Sequence, residues 1–370
     1  MIETKKLFTF LKNNKINFYT GVPDSVLKNA KSYLEKLKKT NHIIASNEGS
    51  AVAAAIGYYL STRKLPCVYF QNSGLGNAIN PLISIAHKKV YSIPLFLLIG
   101  WRGAPGRKDE PQHLAKGLIT PKLLKLLNIR YCILNSKNDL KKLKKLLNFA
   151  KKNKVPVACL IKKDVLFKEK KNVKKNRVNL SKGVKREDFI KIFLQNINSK
   201  SKIISTTGFT SRELFQIRSN YKFKKGKDFY MVGGMGHSSM VALGLSLKTK
   251  RQVLCLDGDG SLLMHMGSLN NIGFYAGLNY KHIIFNNFCH ESVGSQKTNI
   301  ENINIKNLSL SVGYKKYYCI KNNKEISKIL KKFFLSNGPC MLEVITKNIS
   351  MKNLVRPKNL LEIKKRFMTR

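Results

Sequence analysis

Two short segments of this chain carry residue types that could hold a charged cofactor. Gly258-Asp259-Gly260 follows the apolar run QVLCLD (252–257), and Asn286-Asn287 closes the run HIIFNN (282–287). Glycines let a backbone come close to phosphate oxygens, a helix beginning just after them offers unpaired N–H groups, and a carboxylate with an amide supplies hard oxygen ligands for Mg²⁺ or Ca²⁺. The pair reads as a site for a diphosphate held through a divalent metal ion. Either fragment alone is weak, since a lone Gly-Asp-Gly is usually a tight turn. In the other half, HIIASNEGSAVAAAIGYYL runs from a strand through Asn47, Glu48 and Gly49 into an alanine-rich helix. Glu48 stands at that helix start, where the dipole alone would favour a carboxylate and where acid–base chemistry is the alternative reading.

The elements needed to position these groups are legible as short apolar runs alternating with amphipathic helical stretches, the pattern of an α/β protein with mostly parallel sheets flanked by helices. Strands are predicted at HIIAS (42–46), PCVYFQ (66–71), IPLFLLIG (93–100) and VPVACLI (155–161), and again at KIISTTG (202–208), QVLCLD (252–257), HIIFNN (282–287) and CMLEVIT (340–346). Between the two sets, Asp164 to Lys185 has few apolar residues and a heavy positive charge, which predicts a linker. The expected organisation is a domain over 1–163, a basic linker over 164–185, a second domain over 186–349 and a partly ordered basic arm over 350–370. The two domains are expected to be similar α/β units without sequence repetition.

At 370 residues the chain is long enough for two ordinary domains, each with its own core. No apolar run approaches the roughly 20 residues needed to span a bilayer, and the start, MIETKKLFTFLKNN, lacks the apolar centre of a secretory signal. A soluble, cytoplasmic protein with no membrane partner is expected. Seven cysteines, at 67, 132, 159, 255, 289, 319 and 340, lack CxxC or CxxH spacing and read as reduced core thiols. The formal charge of +49, from 69 Lys and Arg against 20 Asp and Glu, raises nucleic acid as a rival partner. The excess is mostly lysine, spread over 141–154, 168–177, 222–227 and the C-terminal tail beside abundant Asn and Ile, as an A/T-biased coding sequence would produce. It has no RNP, zinc-finger or helix-turn-helix pattern to focus it. Solvated lysine faces are the reading adopted, with a basic nucleic-acid-binding protein on an enzyme-derived scaffold as the rival of another class.

Gly-Asp-Gly followed by Asn-Asn resembles the signature of thiamine-diphosphate enzymes. The motifs GVPDS (21–25), NEGSA (47–51), QNSGLGN (71–77), GWRG (100–103), KDEPQH (108–113), GGMGHSS (233–239) and NNFCHESVGSQKT (286–298) together resemble the phosphonopyruvate decarboxylases. GVPDS and QNSGLGN are also similar to the sister sulfopyruvate decarboxylases. The resemblance spans both halves. It implies a pyrimidine-binding and a diphosphate-binding domain of the thiamine-diphosphate-binding fold, without a middle domain. It further implies thiamine diphosphate and Mg²⁺ as cofactors, and loss of CO₂ from 3-phosphonopyruvate to give phosphonoacetaldehyde, an entry to 2-aminoethylphosphonate or another phosphonate. Sulfopyruvate or another acidic 2-oxoacid is the alternative substrate. At least a homodimer is implied, with active sites between subunits.

Residue by residue, the resemblance makes Glu48 the group that hydrogen-bonds the aminopyrimidine ring and activates the cofactor. Asp259 and Asn287 become metal ligands by their side chains and Cys289 by its carbonyl, although a small residue is expected at 289. Thr207, Gly208, Gly258, Gly260 and Ser261 fall at the diphosphate. Met235 takes the place of the bulky apolar residue that bends the cofactor, with ordinary core filling as its alternative. Asp24, Ser25, Arg102, His113, His290 and Glu291 are substrate-binding candidates, and His113 and His290 are catalytic candidates besides Glu48. A lone loop histidine such as His113 is as readily a solvated side chain. Arg102 leads the phosphonate-binding cations, ahead of Arg107, Lys108 and Lys297, because Trp101 beside it suggests enclosure.

Overall fold

A computed structural model describes residues 1–106, 108–167, 183–221, 223 and 227–369. Arg107, the larger part of the expected linker and most of the lysine cluster at 222–227 lie outside the described residues. The chain divides into two compact units, Met1–Lys175 and Asn176–Arg370.

Each unit is built on a six-stranded, fully parallel sheet. Fourteen strands are described: β1 (Ile2–Glu3), β2 (Tyr19–Gly21), β3 (His42–Ile44), β4 (Cys67–Gln71), β5 (Phe96–Trp101), β6 (Arg130–Leu134), β7 (Val157–Lys162), β8 (Leu166–Phe167), β9 (Lys202–Ser205), β10 (Lys227–Tyr230), β11 (Val253–Gly258), β12 (Tyr280–Asn286), β13 (Lys316–Ile320) and β14 (Cys340–Ile345). The first sheet runs β3-β2-β4-β5-β7-β6 and the second β10-β9-β11-β12-β14-β13. Numbered within its own unit, each sheet has the strand order 2-1-3-4-6-5. The two units therefore share one topology without a recognisable sequence repeat.

Parallel sheets are covered on both faces, so their strands are apolar throughout rather than alternating. In β5, Phe96 and Leu98 face a core with helix Thr4–Asn13 and helix Leu140–Asn153, while Leu97, Ile99 and Trp101 face the helix Glu48–Thr62. The second sheet repeats the division. Phe285 of β12 meets the helices Arg186–Asn196 and Ile326–Leu335, and Ile284 on the other face meets the helices Ser238–Ser246 and Ser268–Tyr275. Each fully buried side chain of this size contributes about 1.5–3 kcal/mol before entropy is counted.

The spans read as linker and arm are partly structured. β8 pairs with β1, placing Leu166 in the first core, and Val184 is buried beside Thr346. Residues Leu360–Met368 form a helix whose Ile363 enters the core of the second unit, and Phe367 tilts against Phe229 of β10. Leu360, Ile363 and Phe367 carry this docking, and the lysines and arginine set among them hide it in the sequence.

In both sheets the strand order reverses between the first and third strands of the unit. Ligands of open α/β sheets bind beyond the carboxyl ends of strands at such a reversal. The candidate residues follow the carboxyl ends of the strands that flank it or lie next to those: Asp24 and Ser25 after β2, Glu48 after β3, Arg102 after β5, Thr207 after β9, Asp259 after β11 and Asn287 after β12.

Candidate active site

In the second unit, β11 ends at Gly258 and the chain turns directly into the short helix Asp259–Met264. Asp259 is buried. Its Oδ2 accepts the Thr298 hydroxyl at 2.8 Å, and Thr298 is in turn tied through its N–H to the Phe288 carbonyl at 3.2 Å. Burial pushes the Asp259 carboxyl up to about 7 against the pull of Thr298 and neighbouring backbone N–H groups. Among the described residues no lysine, arginine or histidine stands within 4.0 Å of it. A carboxylate left without a protein cation in a dry place is the donor a divalent ion would satisfy.

Asn287 is also buried and belongs to the turn that supplies Phe288 and Cys289. The turn is tight: Phe288 has φ of 59°, and Cys289 N–H points back at Asn287 Oδ1 at 3.3 Å. The buried Cys289 thiol faces the interior while its carbonyl accepts Glu291 N–H at 2.9 Å. The Phe288 N–H also draws on Asp259, so the carboxylate and the Asn287–Cys289 turn are neighbours. Side-chain oxygens of Asp259 and Asn287 with one carbonyl form a hard donor set that fits Mg²⁺ bound to a diphosphate.

Around this donor set the loops are fastened to one another. The Ser261 hydroxyl lies 3.1 Å from Thr206 Oγ1 and accepts the Gly236 N–H at 3.0 Å, so it joins the ends of β9 and β11 to the glycine-rich loop. Ser261 thus spends its hydroxyl on the scaffold, leaving its backbone as the part that can meet a phosphate. Thr206, which sequence reasoning passed over for Thr207, is the buried member of that pair, while Thr207 is half-buried and Gly208 has φ of 95° at the start of helix Phe209–Asn220. A left-handed residue without a Cβ suits a close backbone approach. Beneath, Asp257 accepts Gly258 N–H at 2.9 Å and contacts His282 at 3.4 Å, whose other nitrogen meets the Tyr314 hydroxyl at 2.9 Å. Burial would raise the Asp257 carboxyl, but His282, Ser261 and Gly258 hold it below the usual range.

Met235 and His290 meet over Gly260. A Cβ on Gly260 would lie 2.7 Å from the His290 ring and 3.2 Å from the Met235 methyl. Burial holds His290 down at about 4, so near neutral pH it is an uncharged imidazole that can donate one hydrogen bond and accept another. Glu291, a substrate-binding candidate, is engaged by two neighbours. Its Oε2 accepts from Arg186 Nη2 at 3.1 Å and from Asn287 Nδ2 at 3.2 Å. The carboxylate is held there by a buried guanidinium and a neighbouring amide.

In the first unit Asn47 caps the helix Glu48–Thr62, its side chain accepting Ser50 N–H at 2.8 Å. The cap places Glu48 in the first turn, 5 % exposed, where its Oε2 accepts Asn77 Nδ2 at 2.8 Å. Gly74 makes room for it, since a Cβ there would collide with the Glu48 carboxyl group. Glu48 is thus aimed by two neighbours from QNSGLGN, Gly74 and Asn77.

Asp24, Ser25 and Arg102 gather at the ends of β2 and β5. Asp24 is capped by the N–H groups of Val26 and Leu27 at 3.0 and 3.3 Å, and Gly100 lacks the Cβ that would strike its carboxyl. Ser25 Oγ donates to Gln71 Oε1 and accepts Arg102 Nη1, both at 3.2 Å. Arg102 itself is forked onto Asp109, with Nε at 2.7 Å and Nη2 also paired to it. It is a neutralised pair rather than a free cation for a phosphonate, with one end of the guanidinium turned to Ser25. The sequence placed that acid in KDEPQH but gave no sign of its partner. His113 lies half-buried in the first turn of helix Pro111–Leu126, and Gly103, with φ of 67°, lets the GWRG turn press against the His113 carbonyl. Lys297 is exposed and paired with Glu301 at 3.2 Å.

Burial pushes the Asp24 carboxyl from 3.8 to about 6, opposed by its N–H caps and Arg102. Across that window the folded chain holds a proton that the unfolded chain has lost, so stability falls as pH rises and stays lower above it, by up to about 3 kcal/mol. Asp24→Asn removes the penalty. The difference in melting temperature between this variant and the parent is expected to grow in the variant's favour from about pH 4.5 to about pH 8. A difference independent of pH would contradict the assignment.

Comparison with known proteins agrees with this arrangement. Residues 4–120 match the family model described as thiamine pyrophosphate enzyme, N-terminal TPP binding domain, and residues 207–344 match the corresponding C-terminal TPP binding domain. The chain is 30% identical over 374 residues to a phosphonopyruvate decarboxylase of Streptomyces viridochromogenes, covering 97% of this chain and 92% of that protein. It is 28% identical over 315 residues to a sulfopyruvate decarboxylase of Methanosarcina acetivorans, covering 80% of this chain and 78% of that one. The sulfopyruvate decarboxylase subunit beta of Methanocaldococcus jannaschii is 38% identical over 130 residues, 35% of this chain and 66% of the subunit. No helix among the described residues is long and apolar enough to cross a membrane. With both thiamine-diphosphate-binding domains matched and one relative aligned along almost its whole length, the chain belongs to the thiamine-diphosphate-dependent decarboxylases, carboxy-lyases of the phosphonopyruvate decarboxylase family.

Proposed function

We propose that this chain decarboxylates 3-phosphonopyruvate to phosphonoacetaldehyde and CO₂, with thiamine diphosphate and Mg²⁺, as a step toward 2-aminoethylphosphonate or a related phosphonate. The observation that carries this reading is the end-to-end similarity to a phosphonopyruvate decarboxylase, and the chemistry of the two strand-end clusters supports it.

Asp259 and Asn287 hold the metal by side-chain oxygens, with the Cys289 carbonyl as a third protein ligand. The N–H groups near Thr207, Gly208, Gly260 and Ser261 meet the diphosphate, Gly258 admits it to the end of β11, and Met235 props the cofactor from its apolar side. Bound thiamine diphosphate supplies the carbon nucleophile and the electron sink for CO₂ loss. Glu48 exchanges a proton with the aminopyrimidine ring, held for that task by Asn77 and the helix dipole. The second N–H of Arg102 Nη1 presents a donor to the acidic 2-oxoacid, with Ser25 and Asp24 fixed beside it as further substrate contacts. His290, uncharged near neutral pH, hydrogen-bonds the reacting group, and His113 relays the proton that completes the aldehyde.

The working form is a homodimer or larger, in which the Glu48 unit of one chain serves the Asp259 unit of another. Support comes from the sulfopyruvate decarboxylase relatives, whose alpha and beta subunits match 33% and 35% of this chain respectively. Those relatives also motivate the second substrate reading, sulfopyruvate. Purified protein with Mg²⁺ and thiamine diphosphate is expected to turn over 3-phosphonopyruvate with a kcat/KM at least about tenfold above that for sulfopyruvate or pyruvate, a step of about 1.4 kcal/mol in transition-state binding. A preference for sulfopyruvate would transfer the assignment to the sister activity.

A further inference from the structure

Behind Asn287 lies a buried run of charges that the cofactor reading leaves unused. Arg186 opens helix Arg186–Asn196 and is 4 % exposed, a rare place for a guanidinium. Its Nε–H donates to Glu213 Oε2 at 2.7 Å, and its Nη2 donates to Glu213 Oε1 at 3.2 Å and to Glu291 Oε2 at 3.1 Å. Glu213, on helix Phe209–Asn220, is fully buried and also accepts the Met351 N–H at 3.0 Å. Glu291 Oε2 then accepts Asn287 Nδ2 at 3.2 Å.

An amide has a donor end and an acceptor end. With Nδ2 engaged by Glu291, Asn287 Oδ1 is turned the other way, and an oxygen is the end a hard cation requires. Glu291 could not hold this direction alone, since a carboxylate on a turn can swing toward a cation and become a ligand itself. Arg186 prevents that by gripping the same Oε2, and Glu213 with the Met351 N–H keeps Arg186 in place.

We propose that Glu213, Arg186 and Glu291 form a positioning relay that sets the Asn287 amide oxygen for the divalent metal. The inference rests on the assignment of Asn287 as a metal ligand. Glu291 is thereby a positioning residue for the metal site.

The test is calorimetric titration of Mg²⁺ into metal-stripped full-length protein with saturating thiamine diphosphate, for the parent, Glu291→Ala, Glu291→Gln, Asn287→Ser and the Glu291→Ala/Asn287→Ser double variant. Glu291 is at the edge of the cluster, and its removal leaves Arg186 paired with Glu213, so the fold survives. The melting temperature of the stripped protein checks this. Glu291→Ala is expected to weaken Mg²⁺ binding by about 10- to 100-fold. Glu291→Gln, whose amide oxygen can accept from both Arg186 and Asn287, is expected to stay within about threefold of the parent. The double variant is expected to bind no more weakly than Asn287→Ser, because Glu291 acts only through Asn287. Unchanged affinity in Glu291→Ala, a glutamine variant as weak as alanine, or losses that add in the double variant would each overturn the relay. A parent that takes up thiamine diphosphate with no divalent ion would overturn the metal assignment itself, before any variant is compared.

Discussion

Glu48→Gln is expected to lower kcat by about 10²–10⁴-fold, the range removed with a general acid–base group, while affinity for thiamine diphosphate stays within about threefold. Glutamine has the same shape, fits the space left by Gly74 and can still meet Asn77, so the helix start and its surroundings persist. What disappears is the ability to take and return a proton. Losing a charge near the helix dipole costs about 0.3–1 kcal/mol, too little to unfold a unit with cores on both faces of its sheet. Steady-state CO₂ release measures the first quantity and calorimetry of cofactor binding the second. A variant turning over within tenfold of the parent would remove Glu48 from the chemistry, and one that no longer binds cofactor would make its role structural.

Asp259→Asn has the second large effect. The variant is expected to weaken Mg²⁺-dependent uptake of thiamine diphosphate by more than about 100-fold, because residues one shell further out already cost 10–100-fold in metal affinity. Stability should move in the opposite direction or not at all. The parent carboxylate is buried with no cationic side chain beside it among the described residues, so an amide in its place relieves a desolvation cost and can still accept the Thr298 hydroxyl. Loss of binding together with an unchanged or raised melting temperature in the stripped protein is the signature of a residue kept for function. Retained cofactor affinity would place the metal elsewhere, and a collapsed melting temperature would make Asp259 a structural residue.

Most central strands were legible in the sequence because burial on both faces leaves no polar alternation to confuse with a surface helix. Phe96–Trp101 and Val253–Gly258 are examples, but the three-residue Tyr19–Gly21 was too short to register. Edge strands such as Arg130–Leu134 and Lys316–Ile320 escaped notice because each is only partly buried and begins with an exposed cation. Glu48, Asp259 and Asn287 could be singled out because each sits in a local motif with glycine or asparagine neighbours. Arg186 and Glu213 could not. Arg186 lies 27 positions from Glu213 and 105 from Glu291 along the chain, and in a protein with 69 lysines and arginines a single arginine carries no local sign that it will be buried. The Arg102–Asp109 pair shows the same limit at short range: both residues were in view, but only the turn through Gly103 brings the carboxylate onto the guanidinium and takes away the free charge expected there.

The most direct test of the whole account is calorimetry on the stripped protein, titrated with thiamine diphosphate in the presence and absence of Mg²⁺. Saturable uptake approaching one cofactor per chain, dependent on the divalent ion, is the predicted result. No detectable uptake with Mg²⁺ in excess would contradict it.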